Sequence, residues 1–122
     1  MTRIASTYYL LGNKKESLKD LCMENSDWNY EKLFLKTGIK HRHILDKNET
    51  PEDLSLRAAK ICLKNSSNKN IDGVLYVSQS PSNPLPTRAC LIQDKLGITK
   101  NSLAFDINQG CSGFVYSLSL AS

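Results

Sequence analysis

Hydrophobic and polar positions along the chain follow two patterns, the period of about 3.6 residues typical of helices and the short apolar runs typical of strands. The apolar runs at residues 73–77 and 102–108 are typical of strands covered on both faces of a sheet. A looser alternation over residues 4–11 predicts a first strand. Helical spacing predicts helices at residues 17–24, 29–36, 51–63 and 87–96, and from residue 111 onward. This order of elements favours a layered α/β fold with a mixed or parallel sheet.

The ends of two predicted helices carry specific signals. Thr50 suits the N-cap of the third helix, Pro51 suits its first helical position, and Asp53 suits the acidic position of a capping box. Gly38 follows the second helix and suits the left-handed conformation that ends many helices.

The polar loop at residues 65–70 is short for an interdomain linker, so we expect one domain over residues 1–122. The pattern is still apolar and helical at Ser122, with no glycine, proline or cap. We therefore expect the chain to be cut within its last helix. Because such a helix needs further protein around it, we also expect a folded fragment to dimerise or otherwise associate.

Composition and charge limit the classes of function. Hydrophobic residues make up 40% of the chain and charged residues 23%, as in soluble globular proteins. No apolar run approaches the roughly 20 residues that span a bilayer, and no signal peptide is evident, so we expect a cytoplasmic protein without membrane insertion. The net charge of +4 is scattered, which disfavours a nucleic-acid partner but suits acidic partners such as a carrier protein or a nucleotide-bearing thioester.

The four cysteines show no metal-binding spacing, and neither disulfides nor a metal site are expected. Cys22, Cys62 and Cys90 lie in apolar helical patterns, where a cysteine is usually a small buried hydrophobe. Cys111 lies instead between a strand and a helix, among glycines. In such a turn, backbone N–H groups and the positive helix end favour the thiolate, which suits acyl transfer. The alternative interpretation is that Cys111 is an inert structural cysteine.

Four segments of the chain, one of which contains Cys111, carry a wider pattern. They are residues 36–44 (Lys-Thr-Gly-Ile-Lys-His-Arg-His-Ile), 49–54 with 58–59 (Glu-Thr-Pro-Glu-Asp-Leu and Ala-Ala), 85–98 (Leu-Pro-Thr-Arg-Ala-Cys-Leu-Ile-Gln-Asp-Lys-Leu-Gly-Ile) and 104–114 (Ala-Phe-Asp-Ile-Asn-Gln-Gly-Cys-Ser-Gly-Phe). Together they resemble the ketoacyl-carrier-protein synthase III family of thiolase-fold enzymes. The resemblance implies the amino-terminal half of a thiolase-like layered α/β/α fold with a mixed sheet.

The resemblance also implies a reaction. Cys111 would accept an acyl group from a thioester, usually acyl-coenzyme A, and the acyl enzyme would condense with malonyl-carrier protein to give a 3-oxoacyl product and carbon dioxide. The family is expected to act as a homodimer without a tightly bound cofactor. Its Cys-His-Asn triad places the His and Asn beyond residue 122, so residues 1–122 alone are expected to be inactive. His41 and His43 are expected to be solvated loop residues.

Two departures from the family pattern concern substrate binding. The family often has a Trp that stacks on the adenine of coenzyme A where this chain has Lys32, with Trp28 one helical turn earlier, and Lys36 replaces an Arg. These three residues and Thr37 are the candidate coenzyme A contacts, and the donor is therefore open.

The second departure is Leu85, which replaces a family Phe that crosses the dimer interface to line the partner's acyl pocket. Leu85 and Phe114 are thus candidate acyl-pocket residues, with ordinary loop packing as the alternative for Leu85. Two other hypotheses about the function of the whole chain stay open. One is a related acyltransferase of secondary-metabolite or polysaccharide biosynthesis, and the other is a non-catalytic interaction module that keeps the fold.

Overall fold

The computed structural model describes residues 3–80 and 85–122, in which α-helices alternate with short strands. In chain order the elements are β1 (Lys14–Ser17), α1 (Leu18–Glu24), α2 (Tyr30–Thr37), β2 (His41–Ile44), α3 (Pro51–Asn65), β3 (Gly73–Val77), α4 (Arg88–Lys95), β4 (Leu103–Ile107) and α5 (Gly113–Leu120). A 3₁₀ turn at Gly110–Ser112 directly precedes α5. Two compact units are present. One is Tyr9–Leu54, and the other joins the described residues up to Tyr8 with those from Ser55 to Ser122.

In the unit Tyr9–Leu54, β1 and β2 form an antiparallel pair. Glu16 lies opposite Arg42, whose Nε donates a hydrogen bond to Glu16 Oε2 at 2.5 Å. Gly12 allows the chain to pass close to the end of β2, because a Cβ atom there would lie 2.2 Å from the Ile44 carbonyl oxygen. Helices α1 and α2 lie between these strands in the chain, so the pair is not a hairpin, and it is held by backbone pairing and cross-strand charge.

The predicted first strand at residues 4–11 is wrong, since no residue of that segment lies in a strand and β1 begins only at Lys14. Apolar alternation does not make a strand without a hydrogen-bonded neighbour, and Tyr9 remains 77% exposed. The expectation that His41 and His43 are solvated is confirmed, because both are exposed, but they lie on β2 and not in a loop. His43 Nδ1 is 2.8 Å from the Gly12 carbonyl oxygen.

The start of α1 is closed by a capping box. Ser17 Oγ accepts a hydrogen bond from Asp20 N at 3.1 Å, and Ser17 N donates to Asp20 Oδ2 at 3.3 Å. Hydrogen bonding to the Ser17 side chain, and then to its backbone, stabilises the carboxylate and lowers the pKa of Asp20 below its ordinary value.

The predicted ends of α2 and α3 are confirmed. Gly38 adopts the left-handed conformation, with φ of 67°, and its N–H donates to the Phe34 carbonyl oxygen. At α3, Asp53 N donates to Thr50 Oγ1 and Thr50 N donates to Asp53 Oδ2, both at 3.2 Å, so the capping box is present with Pro51 as the first helical residue.

In the other unit, β3 and β4 pair in parallel, in the register Gly73↔Leu103 to Val77↔Ile107. Helix α4 connects them and packs against both. Its residues Ala89 and Ile92, together with Ile107, form the buried apolar core. Asp106, near the end of β4, accepts hydrogen bonds from the first two N–H groups of α4. The N terminus of α4 therefore lies at the carboxyl end of β4.

The expectation that the strands are covered on both faces is wrong for β4 among the described residues. Leu103 is 68% exposed and Phe105 is also exposed, as are most apolar side chains of α5. The elements that pack on a strand come from distant parts of the chain. The apolar run of β4 therefore shows that the strand is hydrophobic, but it does not show which elements pack on it. Within residues 3–80 and 85–122, no helix has the length and hydrophobicity needed to cross a bilayer.

Candidate active site at Cys111

Cys111 lies at the carboxyl edge of the parallel strand pair. β4 ends at Ile107, the 3₁₀ turn contains Cys111, and α5 begins two residues later at Gly113. Ser78 N donates a hydrogen bond to the Ile107 carbonyl oxygen at 3.1 Å, so the chain leaving β3 is joined to the end of β4. The loops that follow parallel strands emerge at one edge of a sheet, which is where α/β proteins place their ligand sites.

Two glycines shape the turn around the thiol. Gly110 has φ of +55°, a left-handed conformation that disfavours other residues. Gly113 is buried, and a Cβ atom there would lie 2.7 Å from Val77 Cγ1. The start of α5 therefore packs directly on the end of β3, and this contact holds the nucleophile turn against the sheet.

The environment of Cys111 Sγ differs from that of two other cysteines. Cys62 Sγ lies 3.1 Å from Ser6 Oγ, and Cys90 Sγ accepts a hydrogen bond from Thr87 Oγ1 at 3.1 Å. Cys111 is exposed, and no hydrogen bond to its sulfur is found among residues 3–80 and 85–122. The thiol is thus accessible beside the first turn of α5, where the backbone N–H groups of a helix lack intrahelical partners.

The 3₁₀ turn has its own hydrogen bonds. Ser112 Oγ donates to the Gln109 carbonyl oxygen at 2.8 Å, and the N–H of Gly113 donates to the carbonyl oxygen of Gly110. The turn therefore holds its shape without using the Cys111 side chain. An accessible sulfur in a fixed strand–turn–helix junction is suited to attack a carbonyl carbon and to offer nearby N–H groups to the oxyanion that forms.

The same arrangement of sequence and fold occurs in known proteins. The β-ketoacyl-[acyl-carrier-protein] synthase III of Ehrlichia canis (strain Jake) is 45% identical over 103 residues, which are 83% of this chain and 31% of that protein. The synthase III of Syntrophomonas wolfei is 36% identical over 108 residues, 87% of this chain and 31% of that protein.

Solved structures agree with these relatives. A crystal structure of 3-oxoacyl-(acyl-carrier-protein) synthase III has a TM-score of 0.83 at 38% identity and covers 97% of this chain and 36% of its own. The enzyme of the same name from Aquifex aeolicus VF5 has a TM-score of 0.83 at 33% identity, covering 99% and 39%. The chain matches the amino-terminal part of β-ketoacyl-[acyl-carrier-protein] synthase III proteins in sequence and in fold. The resemblance and the thiolase-like α/β fold are thereby confirmed.

Two facts limit the match to this family. The chain spans about a third of the length of the curated relatives it matches, corresponding to their amino-terminal part. No family model matches it.

The candidate coenzyme A contacts of the family pattern lie in the unit Tyr9–Leu54. Lys32 and Lys36 are exposed and one turn apart on α2, and Trp28 is exposed just before that helix. Thr37 is exposed, but its hydroxyl donates to the Leu33 carbonyl oxygen at 2.9 Å. The helix thus brings the two lysines together on one face. Their contact with coenzyme A stays a prediction.

The candidate acyl-pocket residues lie in the same unit as Cys111. Leu85 is 78% exposed three residues before α4, and Phe114 is 62% exposed in the first turn of α5. Neither side chain belongs to the apolar core of residues 85–122, so core packing does not account for them. Their role in an acyl pocket also stays a prediction.

One polar contact near the site was missed at the level of sequence. Asp106 Oδ2 accepts a hydrogen bond from Arg88 N at 3.0 Å, and Asp106 Oδ1 accepts one from Ala89 N at 2.8 Å. The signal was present, because an acidic residue in an otherwise apolar strand needs a buried partner. The identity of that partner depends on α4 crossing back over the sheet.

Proposed function

We propose that this chain provides the nucleophile part of a 3-oxoacyl-carrier-protein synthase, with Cys111 as the residue that is acylated. The observation that carries the proposal is the exposed Cys111 thiol at a strand–turn–helix junction, in a chain 45% identical over 103 residues to a protein named β-ketoacyl-[acyl-carrier-protein] synthase III. Cys90 on α4 is exposed as well, but its sulfur accepts a hydrogen bond from Thr87, whereas Cys111 lies at the carboxyl edge of the strands.

The first half-reaction transfers an acyl group to the thiol. The thiolate of Cys111 attacks the carbonyl carbon of an acyl-coenzyme A, and N–H groups of the turn stabilise the oxyanion. When the intermediate collapses, the bond between the carbonyl carbon and the coenzyme A sulfur breaks. Coenzyme A leaves with the electron pair and takes up the proton that Cys111 released, so an acyl-cysteine and a free thiol result.

The second half-reaction forms a carbon–carbon bond. Malonyl-carrier protein loses carbon dioxide, and the electron pair of the broken bond attacks the acyl carbonyl carbon. The bond to Cys111 Sγ then breaks, and the products are 3-oxoacyl-carrier protein and the regenerated thiolate. The family resemblance places the assisting His and Asn outside residues 1–122, so we propose that these residues alone do not condense.

The remaining proposals concern context. The substrates are an acyl-coenzyme A or another acyl thioester and a malonyl-carrier protein, and the net charge of +4 favours such acidic partners. Homodimerisation, a cytoplasmic location and a role in fatty-acid biosynthesis are proposed from the family. No tightly bound cofactor is proposed.

The decisive experiment is intact-mass spectrometry of the longest reading frame that contains this sequence, after incubation with coenzyme A thioesters of different acyl chains. We expect a single acyl adduct that maps to the peptide containing Cys111. A related acyltransferase would accept a different class of donor. A folded protein that takes no acyl group from any donor would overturn the proposal in favour of a non-catalytic module.

The same donor panel tests Leu85. We expect Leu85→Phe to shift acylation toward shorter chains, because a larger ring removes volume from an apolar pocket, and a single methylene changes binding by about 1–3 kcal/mol. The ratio of rates for short and long donors should rise by about tenfold. Leu91→Phe is the matched control, since Leu91 is also exposed but lies on α4, away from the loop before it. An unchanged ratio for Leu85→Phe would contradict a pocket role.

A further inference from the structure

Asp106 joins the strand that leads to Cys111 to the N terminus of α4. Its two carboxylate oxygens accept hydrogen bonds from two consecutive backbone N–H groups, those of Arg88 at 3.0 Å and Ala89 at 2.8 Å. Both oxygens are therefore committed to the same helix end. A carboxylate at this position is favoured by the positive end of the helix and by the charge-assisted hydrogen bonds it accepts.

The helix has no cap of its own at this end. Thr87 occupies the N-cap position but makes no side-chain cap hydrogen bond, because its hydroxyl donates to Cys90 Sγ instead. The N–H groups that a neighbouring Ser, Thr or Asp would usually satisfy are satisfied by Asp106, which is 19 residues after Thr87. The cap is therefore a tertiary contact between α4 and β4.

The contact lies in the best-packed part of this unit. Ala89 and Arg88 are buried, and the Arg88 guanidinium carbon lies 5.8 Å from the centroid of the Tyr76 ring. Tyr76 on β3 is the register partner of Asp106 on β4. Residues of β3, α4 and β4 are therefore adjacent at this end of the strand pair.

The opposite end of α4 is tied to the start of β4 by a second side chain. Gln93 Nε2 donates to the carbonyl oxygens of Thr99 and Ser102, both at 3.0 Å, and Gln93 is buried. With the far end fixed by Gln93, the contact of Asp106 sets where the near end of α4 lies relative to the end of β4.

Two functional segments depend on that near end. Cys111 follows Asp106 by five residues, and Leu85 precedes Arg88 by three. We propose that Asp106 is a positioning residue that holds both the nucleophile turn of its own site and the Leu85 segment, which the family pattern directs to the partner's acyl pocket, and so sets the acyl-chain preference of the dimer. This inference rests on the proposed acyl transfer, and it adds that one carboxylate couples attack to chain selection.

The test compares Asp106→Asn with the wild type in the longest reading frame. Asparagine keeps one acceptor oxygen but presents N–H₂ to a backbone donor, so one of the two hydrogen bonds is lost. Across the donor panel we expect the ratio of acylation rates for long and short chains to change by at least about tenfold, since small misplacements at reacting centres have effects of that size or more. Asp20→Asn is the matched control, because Asp20 also caps a helix but lies in the unit Tyr9–Leu54. Its ratio should not change.

Amide hydrogen exchange gives a readout that does not need acylation. In Asp106→Asn, exchange should accelerate by about tenfold both at residues 88–89 and at Gly113, whose N–H donates to the Gly110 carbonyl oxygen in the nucleophile turn, because loss of the link frees both segments. Protection retained at Gly113 would overturn the inference. A second result would also overturn the inference. If acylation falls equally for short and long donors, the ratio of their rates is unchanged, and Asp106 only stabilises the helix end. If the wild type accepts no acyl group, the proposed function fails, and the exchange data still decide whether Asp106 couples the two segments.

Discussion

Replacement of Cys111 by serine is expected to lower acylation of the protein by at least about 10³-fold, to below detection in most assays. A cysteine thiol ionises more readily than a hydroxyl, and its thiolate is strongly nucleophilic. A serine hydroxyl releases its proton far less readily and attacks only with a positioned base. Removal of a nucleophile in a hydrolase lowers kcat by about 10⁶-fold, so the expected loss is conservative.

The matched control is Cys90→Ser. Cys90 is also exposed, so accessibility alone would make it a competing acyl acceptor. Its sulfur already accepts a hydrogen bond from Thr87, and it lies on α4 and not at the turn after β4. Acylation should persist in Cys90→Ser within about twofold. Equal adducts in wild type and Cys111→Ser would show that the acyl group reaches another thiol, and the assignment of Cys111 would be wrong.

The elements that sequence could predict are those whose signals are local. Thr50, Pro51 and Asp53 specify the start of α3 through contacts within four residues, and Gly38 specifies the end of α2 through its own backbone conformation. The apolar run at Gly73–Val77 forms β3 with the expected bounds. Likewise, the place of Cys111 between a strand and a helix follows from a change of period along the chain.

The pairing of β1 with β2 could not be predicted in this way. Its strands read Lys-Lys-Glu-Ser and His-Arg-His-Ile, which have neither alternation nor high strand propensity. What pairs them is the Arg42–Glu16 contact and the close approach that Gly12 allows, between residues 26 or more apart in the chain. A tertiary contact of this kind determines the strand, and no window of the sequence contains both partners.

Asp106 shows the same limit at the candidate site. The segment Leu103–Ile107 predicts a strand, and an acidic residue inside it indicates a polar partner. The partner proved to be the N terminus of α4, which meets Asp106 only because the helix crosses back over the parallel pair. The nucleophile itself is therefore evident from sequence, whereas the groups that hold it in place depend on the fold.

Gly113→Ala is expected to destabilise the chain by about 1–2 kcal/mol, which is the balance of two opposed effects. Gly113 has helical dihedral angles, with φ of −54° and ψ of −38°, so alanine is compatible with the backbone and can favour the helix by up to about 1 kcal/mol. Its Cβ atom would, however, lie 2.7 Å from Val77 Cγ1. Overpacking of this kind costs about 1–3 kcal/mol, and a β-branched valine has few rotamers with which to move away.

Gly73→Ala provides the control for this substitution. A Cβ atom at Gly73 would lie 3.5 Å from Leu103 Cβ, an ordinary contact, and alanine removes the entropic disadvantage of glycine in a strand. Urea unfolding should therefore give a lower midpoint for Gly113→Ala and an unchanged or higher midpoint for Gly73→Ala, with similar slopes. Because the displaced residue is two positions after Cys111, acylation should also fall by at least about tenfold in Gly113→Ala alone. Equal midpoints for the two variants would mean that α5 can move off Val77 freely, and the tight contact between the nucleophile turn and β3 would not hold in solution.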